Sequence, residues 1–552
     1  MSKTILNYKK PIHGSSPMSL YNTQHITQFN NNIDALMELV KLKKHECEPE
    51  LKTETENIIK LIYKYLKINK RKIYGGIALD MLLPDYNSIY TKYETPDIDY
   101  YSPDPMGDLI NLCNILNDNK FKFVRGREAM HKETYGVYVN NRLYCNITYV
   151  PKNIYSKMPF KIINDLYIVH PHFLAIDYLR IFTDPLVSYW RLKEKKAFER
   201  FVLLQKNHPL PHSNNKLNIN NNDLDDFSKN ICNDILEFTK NSKNSMVHIG
   251  LYAYNYFLKE SGELQNKSTN FALINIPYYE IVSINYKTDV LALIEYLKEK
   301  HEKKNKELFD KIKIEENYKF FQYLGDSATF VYNDMNLCTI YCSNARCIPY
   351  LETPDKILIG TFNYVLLNAL VVLMKHRVNN NNETKDLYYI IVSHLIELKN
   401  KYLKKNKLTI FDVSPFQDFT LNHIGSTISP EKERQLIGES RKKKNKAFLF
   451  SYEPANSNKD SNKDAIKYIF TNSSGNVVIN KKKSKLFGEC DNDDSNDSII
   501  ESGIDDMVDS IVDNIVDSIV DGTVADTIGK VIDGPDNGAI DDPFNKIANY
   551  SN

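Results

Sequence analysis

The stretch Thr95-Pro96-Asp97-Ile98-Asp99-Tyr100-Tyr101-Ser102, "TPDIDYYS", decides how this chain is read. Apolar and aromatic residues around two aspartates predict a short buried strand, and strand side chains two apart project from the same face. Asp97 and Asp99 therefore stand side by side. Two carboxylates so close repel unless a cation neutralises them, and Mg²⁺ or Mn²⁺ shared with substrate phosphates is the usual partner for such a pair.

Upstream, "KRKIYGGIALDMLLPDY" (Lys70–Tyr86) reads as a strand that turns at Gly75-Gly76 into a helix. A glycine pair there lets backbone approach a triphosphate and aims unpaired helix N–H groups at it. Asp97 and Asp99 follow about 20 residues later, placed to hold the cations that bridge those phosphates. Downstream come a helix ("MGDLINLCNILNDN"), a strand ("FKFVRGREAM"), a hairpin turning at Asn140-Asn141 and a helix ("FLAIDYLRIFT"). Before this region, a helix is expected from about Ile33 to Lys44 and a better one over "ETENIIKLIYKYLKIN" (Glu54–Asn69).

At 552 residues the chain exceeds one core, and domains of roughly 100–200 residues imply two or three of them plus tails. No run of 18 apolar residues appears and the N-terminus lacks an apolar signal core, so an intracellular chain with no membrane span is expected. Eight cysteines show no disulfide framework, and Cys338, Cys342 and Cys347 read as buried thiols. The net charge of +1 hides an asymmetry: Phe487 onward holds 17 Asp/Glu against 2 Lys, leaving 69 basic against 53 acidic side chains in residues 1–486. Lysine clusters at Lys399–Lys407, Arg441–Lys446 and Lys481–Lys485 make a polyanion a plausible partner.

Beyond a polar linker the order of elements returns. "SMVHIGLYAYNYFLK" parallels "RKIYGGIALDMLL", and three later blocks repeat in the same sequence, which predicts a duplicated α/β unit. In this alignment Ile249-Gly250 replace Gly75-Gly76, and Glu280 and Val282 replace Asp97 and Asp99, so the second copy is expected to be catalytically empty, a scaffold or an RNA-binding surface. The expected organisation is an N-terminal polar extension (1–55), a catalytic domain (56–206), a linker (207–226), a degenerate second domain with a basic C-terminal segment (227–455) and a disordered acidic tail (456–552).

The Gly75-Gly76 to Asp97-x-Asp99 arrangement resembles the polymerase-beta type of nucleotidyltransferase. The surrounding text, "GREAMHKETYGVYVN" (Gly126–Asn140), "NITYVPKNIY" (Asn146–Tyr155), "HPHFLAIDYLRIFTDPLVSYWRLKEKKAFERF" (His170–Phe201) and "IGSTISPEKERQLIGESRKKKNKAFLFSYEP" (Ile424–Pro454), resembles poly(A) polymerase catalytic subunits of large nucleocytoplasmic DNA viruses, over roughly Ile58 to Pro454. The resemblance implies an α/β (α+β) fold of two tandem nucleotidyltransferase-like domains, the second degenerate. It implies addition of AMP from ATP to mRNA 3′ ends by two-metal transfer, with Mg²⁺ or Mn²⁺ on Asp97 and Asp99 and the nucleotide at Gly75 and Gly76. It implies a single-stranded poly(A) RNA partner, a homodimer or a processivity subunit, and location in the virion and the host-cell cytoplasm at the viral factory.

One position departs from the family. Relatives carry a third carboxylate on the third strand in an Asp-Ile-Ser/Thr-Tyr pattern, and this chain has Asn146 in "CNITYVP". An amide oxygen can coordinate Mg²⁺ but brings no charge and cannot act as a base. Either Glu133 substitutes, or turnover is weakened, or the chain is a silent RNA-binding or dimerisation paralogue; a nucleotidyltransferase acting on a tRNA or a protein is a further alternative. His131 and Thr134 are candidates to line the nucleotide pocket. Arg180, Arg191 and Lys193 could contact triphosphate or RNA, with Arg180 equally able to pair with Asp177 or Asp184. Trp190 reads as a core anchor.

Overall fold

The computed structural model describes residues 23–47, 49–90, 94–183, 195–217, 224–241, 245–265, 271–321, 323–344, 346–444 and 447–454. The expectations for Trp190, Arg191, Lys193, Lys481–Lys485 and the acidic tail fall outside these residues. The chain divides into two compact units, 1–58 with 90–95, and 59–89 with 96–552. In the first, the expected N-terminal helix is longer than predicted, Thr23–Cys47, and its Lys41 pairs with Glu38 and Glu94, each at 3.0 Å. The helix expected from Glu54 begins at Pro49 and ends at Ile68.

Among the described residues, sixteen short strands build two sheets in the second unit. The first copy supplies β1 (Lys72–Tyr74), β2 (Ile98–Ser102), β3 (Arg125–Glu128), β4 (Thr134–Val139), β5 (Arg142–Tyr149), β6 (Phe160–Ile163) and β7 (Leu166–Val169). The second supplies β8 (Met246–Ile249), β9 (Tyr279–Ser283), β10 (Lys313–Asn317), β11 (Ser327–Tyr332), β12 (Met335–Cys342), β13 (Ile348–Glu352) and β14 (Leu358–Gly360). β15 (His423–Ile424) and β16 (Ser451–Tyr452) come from the C-terminal segment.

The duplication read from the sequence is present in the topology. The first sheet runs β3-β4-β5-β2-β1-β7-β6 and the second β10-β11-β12-β9-β8-β14-β13, with β16 and β15 added at opposite ends. Parallel and antiparallel pairings agree at every step of the two series. Details agree as well. The β4–β5 turn at Asn140-Asn141 and the β11–β12 turn at Asn333-Asp334 both place two consecutive residues at positive φ, the backbone of a type I′ hairpin that Asn and Asp tolerate. Both hairpins carry a register irregularity, after Val137 and after Phe330. A third such turn, Asn164-Asp165, joins β6 to β7.

Strand register corrects the sequence alignment by one residue at the turn and by two at the aspartates. Tyr74 faces Asp99 across β1 and β2, and Ile249 faces Glu280 across β8 and β9. Gly250 therefore matches Gly75, Glu280 matches Asp99, and the place of Asp97 falls to Tyr278. Asn146 lies beside Asp99 on β5, and Thr339 beside Glu280 on β12. Helical periodicity could align the blocks only loosely; hydrogen-bond pairing fixes them.

The core of the first copy lies where helix Pro105–Asp118 covers the sheet: Ile73, Ile98, Tyr100, Leu109, Leu112, Val137 and Ile147 are all at most 1% exposed. The helix opens on Asp104, which accepts the Gly107 N–H (2.9 Å) with Pro105 in the first turn, a capped start that fixes the exit from β2. Because Ile98 and Tyr100 turn inward, Asp97 and Asp99 turn to the opposite face. Cys338 and Cys342 are buried as expected, while Cys347 is half-buried. The C-terminal segment crosses back: β16 pairs with β3, and Arg441 of helix Pro430–Lys443 forks onto Glu128 at 2.6 and 3.0 Å. These residues, grouped from sequence with the second domain, belong physically to the edge of the first sheet.

Candidate active site

Asp97 lies one residue before β2 and Asp99 inside it, both half-buried. Their carboxylates converge on one atom. Asn146 Nδ2 donates to Asp97 Oδ2 and to Asp99 Oδ1, each at 3.0 Å. The amide takes the place that a shared cation would take between them, and it satisfies both acceptors without one.

The glycine turn adjoins this pair. Gly75 opens helix Gly75–Leu82 with φ +75°, a conformation that favours glycine, and a Cβ there would collide with the Asp99 carboxylate. Tyr74 before it is extended (φ −133°, ψ −172°) and its hydroxyl bonds Thr148 Oγ1 at 2.7 Å; Thr148 in turn meets Thr134 Oγ1 at 3.1 Å. Burial, and secondly the charge of Asp99, push the Tyr74 phenol up, so it stays a neutral hydroxyl beside the carboxylates. Gly76 is the second residue of the helix, without the positive φ of its neighbour.

The second copy repeats the backbone and loses the chemistry. Gly250 (φ +61°) opens helix Gly250–Ser261 behind an extended Ile249 (φ −128°, ψ −164°), and a Cβ on it would strike Glu280. Tyr388, from helix Asn382–Asn406, donates its hydroxyl to Glu280 and seals it from solvent. Burial raises the Glu280 carboxyl to about 7, with Tyr388 and Lys375 pulling the other way. A single buried, capped carboxylate with Tyr278 and Thr339 beside it offers no paired acceptors.

The remaining expected residues divide. Thr134 joins the hydroxyl chain next to the aspartates. His131 lines a cleft between the β3–β4 loop and helix Pro430–Lys443, with Lys132, Glu433 and Arg434. Glu133 is turned to Lys319, 3.5 Å away on the loop after β10, and among the described residues no group of three Asp, Glu, His or Cys side chains is placed to hold a metal ion. It supplies no third carboxylate here. Arg180 lies 3.7 Å from Asp177 and over the ring of Tyr323 (5.5 Å), whose hydroxyl donates to Asp177 at 3.2 Å. The Asp177 pairing foreseen as the alternative is the one observed, part of a seam between the two copies.

Sequence reasoning missed that seam. Tyr74 and Tyr101 stack at 4.0 Å under the aspartates, and Phe321 packs edge-on against Tyr101 (5.1 Å) from the second copy. It also overcounted free lysines. Lys399 is half-buried against Asp418 and Lys401 lies 2.7 Å from Glu397, while Lys404, Lys405, Lys407 and Lys442–Lys444 remain exposed.

Comparison with known proteins agrees with this geometry. The family model "Poly(A) polymerase catalytic subunit" matches residues 60–188, and "APMV, Putative poly(A) polymerase, catalytic subunit, C-terminal" matches residues 204–487. The chain is 30% identical over 459 residues to the "Putative poly(A) polymerase catalytic subunit" of Acanthamoeba polyphaga mimivirus, covering 77% of each protein. It is 30% identical over 163 residues to the protein of the same description from African swine fever virus (strain Badajoz 1971 Vero-adapted), covering 29% of this chain and 34% of that one. The crystal structure of the Megavirus polyadenylate synthase superposes with a TM-score of 0.75 at 30% identity, covering 86% of this chain and 96% of the other. With its paired carboxylates, its glycine turn and its duplicated mixed α/β fold, this chain belongs to the poly(A) polymerase catalytic subunit family.

Proposed function

We propose that the protein is a polynucleotide adenylyltransferase that adds AMP from ATP to the 3′ ends of mRNA. The observation that carries the reading is the convergence of Asp97 and Asp99 on one point beside the Gly75 turn. The donor set suits a hard divalent cation such as Mg²⁺ or Mn²⁺: two carboxylates point at one nitrogen, and rotation of the Asn146 amide would present its oxygen to the same point. Bound there, such ions lower the pKa of an attacking hydroxyl and stabilise departing pyrophosphate.

The chain's own groups supply the rest. Asp97 and Asp99 hold negative charge at a fixed separation on a rigid strand edge. Gly75 keeps the first turn of its helix free of side chain, so that backbone N–H groups meet phosphate oxygens. Exposed lysines of the helices ending at Asn406 and Lys443 attract the phosphates of a single-stranded RNA. The second copy serves as a scaffold: its Phe321 and Tyr323 brace the strands beneath the aspartates.

The family description as a catalytic subunit supports a partner, either a second copy or a processivity subunit, and the viral relatives support action in the virion and host-cell cytoplasm. No helix among the described residues is long and apolar enough to cross a membrane. A second reading, a weakly active or silent RNA-binding paralogue, is favoured by one observation: the Asn146 amide already donates to both carboxylates.

Extension of a labelled oligo(A) primer with ATP and Mg²⁺ or Mn²⁺ separates the two. A ladder that Asp97→Ala abolishes supports the polymerase; RNA binding without extension supports the silent paralogue. Parallel reactions with the other nucleotides test the preference for adenine.

A further inference from the structure

A second gathering of titratable side chains has the opposite chemistry. Lys161 on β6, His170 and His172 at the start of helix Pro171–Thr183, His208 just past helix Lys196–Asn207, and Arg377 near the end of helix Phe362–Val378 come together where the two copies meet. Among the described residues neither Lys161 nor Arg377 forms an ion pair. Both are exposed, and the three imidazoles are half-buried.

The hydrogen bonds leave one contact unresolved. The His172 N–H donates to His170 Nδ1 at 3.2 Å, which puts the imidazole proton of a neutral ring on Nε2. That Nε2 faces Arg377 Nη1 at 3.3 Å, and a guanidinium nitrogen only donates. Two N–H groups therefore confront each other with no acceptor between them. Protonating His170 would worsen the conflict. Burial first, then the charges of Arg377, His172, Lys161 and His208, push its pKa down to about 3. His208 Nε2 donates to the Leu82 carbonyl (2.9 Å), so its Nδ1 accepts from Lys161 Nζ at 3.5 Å and holds the ammonium toward the cluster.

We propose that this cluster binds a phosphate group, whose oxygen accepts from His170 Nε2 and from Arg377 together while Lys161 supplies the second positive charge. An anionic oxygen is the acceptor the facing donors lack, and a bidentate guanidinium is suited to it. The cluster stands at the C-terminal end of β7, which runs parallel beside β1, whose own C-terminal end turns at Gly75. Both phosphate sites thus open on the same edge of the sheet. Naming the source, an RNA phosphodiester or a free polyphosphate, rests on the polymerase reading; the phosphate chemistry does not.

The test uses the full chain with Lys161→Gln, Arg377→Gln and their combination, against Lys313→Gln on exposed β10 as control. Binding of labelled oligo(A) is followed by anisotropy across a salt series, and of inorganic tripolyphosphate by calorimetry. With single-stranded RNA each lost phosphate contact lowers the log–log salt slope by about 0.7, so the double variant should lose about 1.4. A change with oligo(A) alone identifies a phosphodiester, and at least tenfold weaker tripolyphosphate binding identifies a free polyphosphate. Arg377→Lys, which keeps the charge, should recover part of the loss. If Arg377→Gln unfolds, Lys161→Gln on the exposed edge strand carries the same test with a slope change of about 0.7. A folded double variant that binds both probes as the parent does overturns the proposal. Failure of the polymerase reading would appear instead in the extension assay, which this measurement does not use.

Discussion

Replacing Asn146 by aspartate restores the family's third carboxylate and removes the donor that Asp97 and Asp99 share. Two hydrogen bonds of 3.0 Å to charged acceptors are lost; at about 1.5–3 kcal/mol each, their loss alone comes to at least about 3 kcal/mol. Repulsion is added. Unit charges about 3 Å apart at an effective dielectric of 20 repel by about 5 kcal/mol. The site avoids that by taking up a proton, which for a carboxyl at pH 7 costs about 4 kcal/mol, and this caps the penalty. The protonated carboxyl can donate to only one of the two aspartates, so the expected destabilisation of Asn146→Asp in EDTA is that cost plus one lost hydrogen bond, about 6 kcal/mol at neutral pH. Its pH dependence has a definite sign. A carboxyl whose folded pKa is raised above about 3.9 loses stability as pH rises between the two values, so the deficit should be smallest near pH 4, where only the lost hydrogen bond remains, and largest above neutrality. Divalent cations should reverse it, because a ligand that binds only the folded state stabilises by RT ln(1 + [L]/Kd). Guanidinium denaturation followed by circular dichroism, with EDTA and then with Mn²⁺, measures all three effects, and extension by the variant should exceed that of the parent. A variant that unfolds at the parent's midpoint in EDTA at pH 8 would show that the amide does not hold the carboxylates together.

Two further variants use the internal duplication. Gly75→Ala and Gly250→Ala each force alanine into positive φ against a carboxylate, and the left-handed backbone alone costs about 1–2 kcal/mol. Both should lower the melting temperature, but only Gly75→Ala should abolish extension; equal loss of activity in a folded Gly250→Ala would contradict the assignment of the site to the first copy. Glu280→Gln should flatten part of the pH dependence of stability. The Glu280 pKa, raised from 4.5 to about 7 in the fold, makes its contribution fully present below pH 4.5 and lost as pH rises to 7, a change of about 3 kcal/mol. The variant should melt higher than the parent at pH 8 and show no such gain at pH 4.5; an unchanged pH profile would mean that Glu280 is buried without that penalty.

The parts of this architecture that were legible are those set by local chemistry. Alternation in "TPDIDYYS" placed Asp97 and Asp99 on one face, Asn140-Asn141 announced a tight hairpin, and Gly75-Gly76 marked the turn from strand to helix. The repeat of four blocks was legible because three of them pair a strand with a helix and one is a hairpin, in the same order in both copies. Pairing across the sheet was not. The match of Glu280 to Asp99 depends on hydrogen bonds between residues 25 or more apart in sequence, which periodicity alone does not encode. The return of the C-terminus to β3 left a trace that could have been used: Phe448, Phe450 and Tyr452 alternate as a strand should, behind a helix capped by Ser429. Basic clusters misled for a physical reason: Lys399 and Arg441 sit in lysine-rich text, yet one is paired with Asp418 and the other is forked onto Glu128.

The most direct measurement is anomalous diffraction from crystals soaked with Mn²⁺ and a non-hydrolysable ATP analogue. The account predicts a manganese peak between the carboxylates of Asp97 and Asp99, the Asn146 amide turned to present its oxygen, and the triphosphate against the backbone at Gly75. A nucleotide bound elsewhere, or an amide still bridging two aspartates with no metal between them, would contradict it.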